Sequence, residues 1–236
     1  MRILNCGLVV ALLGLASATG QTGAPMTAQQ VVANSLKARG GAARFAAVHT
    51  LSFVGHLDLG GGKTAPLQVS LASHPNRIRV ELSLPAGTLV QGYDGTQAWQ
   101  IAPGQTTAEV LTGLGAKQVE DQALNFVDLL TAANTRTELL GQGTLDGHDY
   151  YKVGFTLPTG DGFIQYIDAR TWLAFHEEYP GGVEDISDYR PVQGLLLPFR
   201  YVSGPPGQPG TVLSRESVQI NPPLAATLFA RPQARR

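Results

Sequence analysis

"LSFVGHLDLGGGKTAPLQVSLAS", residues 51 to 73, is the stretch on which the fold turns. Its Gly62-Lys63-Thr64 ends a glycine run with the letters that close a phosphate-binding loop. Such a loop needs a first glycine five positions before the last, and it must join a strand to a helix so that N–H groups converge on the anion. Five positions before Gly62 stands Leu57. After Thr64, Leu67, Val69 and Leu71 alternate with Gln68 and Ser70; before the glycines, Leu51, Phe53, Leu57 and Leu59 alternate with Ser52, His56 and Asp58. Two alternating runs joined by glycine read as a β-hairpin, and no nucleotide is expected as a partner.

Period two continues outward from this hairpin. In "NRIRVELSL", Ile78, Val80 and Leu82 share one face, while Arg77, Arg79, Glu81 and Ser83 share the other. Asp94-Gly95 and Asp146-Gly147 supply tight turns with positive φ between further runs. Residues 160–204 hold three or four more strands, and "TVLSRESVQI" supplies the last before Pro222-Pro223. About eleven strands joined in order by short turns make an antiparallel meander. A sheet of that length must curl, and its apolar inner face is closed by itself or by helices.

Two segments break the alternation. Thr27 and Gln30 form a capping-box pattern ahead of Val31, Val32, Ser35 and Leu36, and Gly40-Gly41 ends that helix. Between residues 106 and 135, Val119, Ala123, Phe126, Val127 and Leu130 recur at three- and four-residue spacings, which predicts an amphipathic helical insert. No domain boundary, low-complexity tract or regular repeat is visible.

Composition agrees with a β protein. Only 15% of the 236 residues are charged, against roughly 25% in average soluble domains, and there are 28 glycines and 15 prolines. A formal charge of −1 gives no basic face for nucleic acid. "MRILNCGLVVALLGLASATG" has a cationic start at Arg2, an apolar stretch and a small-residue site, Ala16-Ser17-Ala18, as a secretory signal peptide has. Residues 1–18 are therefore expected to be a cleaved leader, with 19–236 a single exported domain, periplasmic or secreted. Removing Arg2 with the leader takes the formal charge from −1 to −2, and Cys6, the one cysteine, is lost as well. Cys6 precedes the apolar run rather than ending it, so it does not read as a lipoprotein signal.

Several phrases together resemble the LolA/LolB-like group of bacterial outer-membrane lipoprotein-sorting proteins. They are "LKARGGAARFAAVHTLSFVGHL", "RIRVEL", "GYDGTQAW", "ELLGQGTLDGHDYYKV", "YIDARTWL" and "DYRPVQGLLLPFR", between residues 31 and about 202. The resemblance implies a mainly β fold, an antiparallel, strongly curled sheet forming an unclosed barrel, with helices on its concave side. It further implies an apolar cavity for the acyl chains of a lipid or lipidated protein, and no enzymatic role. The lipobox cysteine of the group's receptor-type members is absent, and no functional arginine or lid residue of the chaperones is matched here.

Residue chemistry offers little against that reading. His56, His74 and His148 stand on strand faces or in turns, and His176-Glu177-Glu178 lacks a second histidine four residues on, where Pro180 stands. There is no Gly-x-Ser-x-Gly turn and no cysteine after Cys6. No catalytic residue, metal or cofactor is expected. The candidate ligand-binding residues are the apolar and aromatic strand positions Ile78, Val80, Leu82, Tyr93, Trp99, Val153, Phe155 and Phe199, which suit an apolar pocket. The competing readings are an envelope interaction or sensor module with a filled core and protein partners, and a hydrolase built on the sheet.

Overall fold

A computed structural model describes residues 26–124, 135–157, 160, 162–208 and 210–233. The expected leader, and Phe126, Val127 and Leu130 of the helical insert, lie outside the described residues. Among the described residues there are three α-helices: α1 (Ala28–Ala38), α2 (Ala42–Ala46) and α3 (Gly113–Leu124). The strands are β1 (Thr50–Asp58), β2 (Thr64–Ala72), β3 (Arg77–Leu84), β4 (Gly87–Tyr93), β5 (Ala98–Ile101) and β6 (Glu109–Val110) before α3. After it come β7 (Arg136–Leu145), β8 (His148–Thr156), β9 (Gly162–Asp168), β10 (Ala174–Tyr179), β11 (Gly182–Val192), β12 (Leu195–Gly204) and β13 (Thr211–Ile220). A single 3₁₀ turn, Ala226–Leu228, lies in the C-terminal tail.

All the strands pair antiparallel in one 13-stranded sheet, in the order β6-β5-β4-β3-β2-β1-β13-β12-β11-β10-β9-β8-β7. Two meanders therefore meet where the first strand pairs with the last, and β6 and β7 are left as edges. The count exceeds the expected eleven for local reasons. The two-residue β6 lies inside the stretch read as helical, and residues 162–204 hold four strands.

Residues 51–73 are a hairpin. Leu59 N–H donates to the Lys63 carbonyl at 2.8 Å, and Gly60 N–H donates to Asp58 Oδ1 at 2.8 Å. Gly60, Gly61 and Gly62 all have positive φ (82°, 61° and 74°), a conformation that side chains other than glycine's resist. Leu51 pairs with Leu71 and Phe53 with Val69, and those in turn pair with Ile78 and Val80 on β3. One face of β1–β3 is thus continuous hydrocarbon. Leu59, grouped with that face by alternation, falls past the end of β1 and is 44% exposed.

Helices cover this face. Thr27 and Gln30 make the reciprocal capping box at the start of α1, with bonds of 2.8 and 3.2 Å. Val31 of α1 is fully buried among Val153, Phe155, Phe163 and Ile167, while Leu36 joins a second cluster with Phe45, Leu51, Leu71 and Leu197. One short helix therefore ties together the two cores, and each fully buried aliphatic side chain contributes about 1.5–3 kcal/mol. Val119 and Ala123 of α3 pack with Ile78 and Ala98, on the same face of the sheet.

Candidate functional site: a hollow between an apolar wall and a buried polar band

Between sheet and helices lies a hollow of about 520 Å³. One wall is hydrocarbon from β1–β4, including Phe53, Leu67, Val69, Ile78, Val80 and Leu82. Register explains the alignment: Leu67 opposes Leu82, and Leu82 opposes Leu89, so the row runs across three strands. The other wall is polar. Gln165, Glu177 and Glu184 come from β9–β11, Tyr189 and Tyr201 from β11 and β12, Arg215 from β13, and Arg39 from the end of α1.

Each polar group has a local reason to face inward. Gln165, Glu177 and Glu184 are consecutive register partners across three strands, so they share a face. Gln165 Nε2 donates to Glu177 Oε2 at 3.1 Å, and Ser203 Oγ donates to Glu184 Oε1 at 2.5 Å. Burial pushes the Glu177 carboxyl up to about 8, and the nearby charge of Glu184 adds to this against the Gln165 hydrogen bond. Glu184 is raised too, chiefly by burial.

Arg215 is set by a β-bulge. Val54 pairs with Ser217 but Gly55 pairs with Arg215, leaving Glu216 unpaired on β13. Glu216 turns away to meet His56 at 3.0 Å. A side chain at Gly55 would strike the Ser214 carbonyl, with a Cβ only 2.1 Å away. The Arg215 guanidinium lies over the rings of Phe53 (4.4 Å) and Tyr201 (4.8 Å), and Nη1 donates to the Pro198 carbonyl at 3.0 Å. Its Nε is buried without a hydrogen-bond partner among the described residues.

Arg39 caps α1. Its carbonyl accepts from Leu196 N–H at 2.9 Å, and its Nε donates to the Leu196 carbonyl at 3.3 Å, which docks the helix end on β12. Its guanidinium stands 5.0 Å from the Phe45 ring centroid. Burial lowers its pKa, and the charge of Arg215 works in the same direction.

The structure brings together three of the expected site residues, Ile78, Val80 and Leu82, on the hydrocarbon wall. Tyr93 shares their face but sits under α3, its hydroxyl 3.4 Å from Glu120 Oε1. Trp99 is on the opposite face. It pairs with Gly92, itself the partner of Arg79, rather than lying in the Ile78 row, is fully buried, and donates from Nε1 to the Phe229 carbonyl at 3.0 Å. Val153 and Phe155 lie in the core beneath α1, where Phe155 stacks on Phe163 at 4.8 Å. Phe199 is buried in the other core with Arg190 4.7 Å over its ring.

Sequence reading passed over the polar band. Within the His176-Glu177-Glu178 run, alternation separates the members: His176 meets Asp185 at 2.7 Å while Glu177 faces the hollow. Arg215 gave less signal, because its face depends on the bulge.

A second hollow, about 770 Å³, lies beside Arg136, Phe155, Phe163 and Tyr179. The segments flanking it in sequence, 125–134 and 158–159, lie outside the described residues.

The fold is shared with solved proteins of the LolA superfamily and its relatives. A superfamily protein from Nitrosomonas europaea superposes with a TM-score of 0.59 at 15% identity, covering 87% of this chain and 98% of that one. A DUF1329 family protein from Desulfovibrio piger gives 0.61 at 13% identity, covering 87% and 98%. A domain assigned to the outer membrane lipoprotein-sorting proteins, from Vibrio parahaemolyticus, gives 0.60 at 9% identity, covering 86% and 95%. At these identities the likeness is one of fold. No family model matches the sequence, and no curated protein matches it.

Proposed function

We propose that this chain is an exported carrier that holds acyl chains, of a lipid or a lipidated protein, in the hollow between sheet and helices. The observation that carries this is the hydrocarbon wall of β1–β4, interrupted on β4 by Gln91, that lines the hollow. Acyl chains bind such a wall by area burial, at about 0.8 kcal/mol per buried CH₂, with no directed bond required. In this reading the sheet is a strongly curled, unclosed barrel. Its support is that β3 and β9, seven places apart in the sheet order, contribute Val80 and Gln165 to one hollow. The carrier has no catalytic role, and the sorting proteins that share its fold point the same way.

The test is the lipid content of the protein purified from envelope extracts, read by mass spectrometry, with displacement of a fluorescent fatty-acid probe. Bound lipid and saturable probe binding are expected; a chain that retains neither is no carrier, and the interaction-module reading replaces it. Export to the periplasm belongs to the same proposal. N-terminal sequencing of envelope-fraction protein is expected to begin at Thr19, and a start at Met1 with membrane retention would overturn it.

A further inference from the structure

Two guanidinium groups enter the hollow without a carboxylate. Arg39 has its Nε on the Leu196 carbonyl, and Arg215 has its Nη1 on the Pro198 carbonyl. Their remaining nitrogens donate to no partner among the described residues, and Arg215 Nε is buried in that state. Neither glutamate of the band hydrogen-bonds to them: Gln165 holds Glu177 and Ser203 holds Glu184, although Glu184 feels the Arg215 charge. Buried cations without a hydrogen-bonded carboxylate are costly, and two of them at one hollow mark a place for an anion.

We propose that Arg215 and Arg39 bind the anionic head, carboxylate or phosphate, of a single-chain amphiphile whose chain lies along the Ile78–Val80–Leu82 wall. This rests on the acyl-chain reading above. The planar fork of arginine matches carboxylate and phosphate oxygens, and stacking on Phe53 and Tyr201 holds the Arg215 plane in place. The remaining titratable groups around the hollow, Glu177, Glu184, Tyr189 and Tyr201, fit this sign of charge. Glu177 keeps its proton to about pH 8 and can donate to an anion, and burial holds both tyrosines in the neutral form. A hollow of about 520 Å³ takes one chain and its head rather than several chains.

The experiment titrates the full exported chain, loaded with a fluorescent fatty acid, with hexadecanoate, hexadecyl phosphate, hexadecan-1-ol, acetate and inorganic phosphate at pH 7. The acid and the alkyl phosphate are expected to displace the probe at least about tenfold more tightly than the alcohol, the scale of one charge-assisted hydrogen bond. Acetate and inorganic phosphate are expected not to displace it at millimolar concentration. Arg215→Gln brings the acid-to-alcohol ratio close to one with alcohol affinity kept, Arg215→Lys restores part of it, and Arg39→Gln lowers it. Equal affinity for acid and alcohol in the wild type overturns the head-group site while leaving the carrier reading intact. Displacement by acetate or phosphate alone overturns it in favour of a free-anion site. Failure of every long-chain ligand defeats the carrier reading and this one with it. Thermal melting identifies which variants fold, and an unchanged ratio in any folded variant overturns the assignment.

Discussion

Glu177 on β10 and Glu184 on β11 stand directly opposite each other in register, and both line the hollow. Like-charged neighbours in a buried site cannot both ionise cheaply, so the pair makes folding depend on pH.

The direction follows from the raised pKa of Glu177. Its ordinary value is 4.5 and burial takes it to about 8 in the folded chain. Between those values the folded state keeps a proton that the unfolded state has released. Stability fully present below about pH 4.5 is therefore lost as pH rises toward 8, and the loss levels off above it. Glu177→Gln, a neutral mimic of the protonated acid, is expected to melt like the wild type near pH 5 and higher than it at pH 8, by up to a few kcal/mol. A difference that stays constant across that range would contradict the assignment.

Val80 and Phe155 separate hollow from filled core. Val80 lines the hollow, whereas Phe155 is 2% exposed and stacked beneath α1. Val80→Lys is expected to stay folded while losing the fatty-acid probe, because its ammonium can draw water into existing space. Phe155→Glu replaces a buried ring stacked on Phe163, and an unpaired buried charge there costs several kcal/mol, enough to unfold the chain. Paired melting and probe displacement check both; an unfolded Val80→Lys would mean that the hollow is closed core.

Trp99 depends on Gly92. A Cβ at position 92 would lie 2.5 Å from the indole, which covers the glycine on the face opposite the hollow. Gly92→Ala is expected to destabilise by about 1–3 kcal/mol, as overpacking does. Phe229→Ala, which removes the tail's cover over this face, is expected to cost about 3–5 kcal/mol. Urea unfolding measures both. Probe affinity in the folded fraction should not move, because neither residue faces the hollow.

Lys63 is exposed at the tip of the β1–β2 hairpin. Lys63→Ala is expected to change stability by no more than about 0.5 kcal/mol and to leave ligand affinity unchanged. ATP or GTP binding that disappears in this variant would contradict the hairpin's role as a simple turn.

Alternation and turn chemistry were enough to determine a mainly β, antiparallel chain, the β1–β2 hairpin, the Thr27 capping box and the common face of Ile78, Val80 and Leu82. All of these depend on neighbours a few residues apart, whose spacing is written directly in the chain. The face that Trp99 takes, the inward turn of Arg215 and the union of Arg39 with Glu177 and Glu184 were decided only in three dimensions. Trp99 looks the same in either direction until the C-terminal tail covers one side of β5. Arg215 faces inward because one unpaired residue shifts the pleat against β1, and a one-residue slip exchanges the faces of a strand. Arg39 lies 157 residues from the Leu196 carbonyl that fixes it. No local periodicity carries a pairing over that distance; it follows from the first strand closing on the last, which brings the two halves of the chain around one hollow.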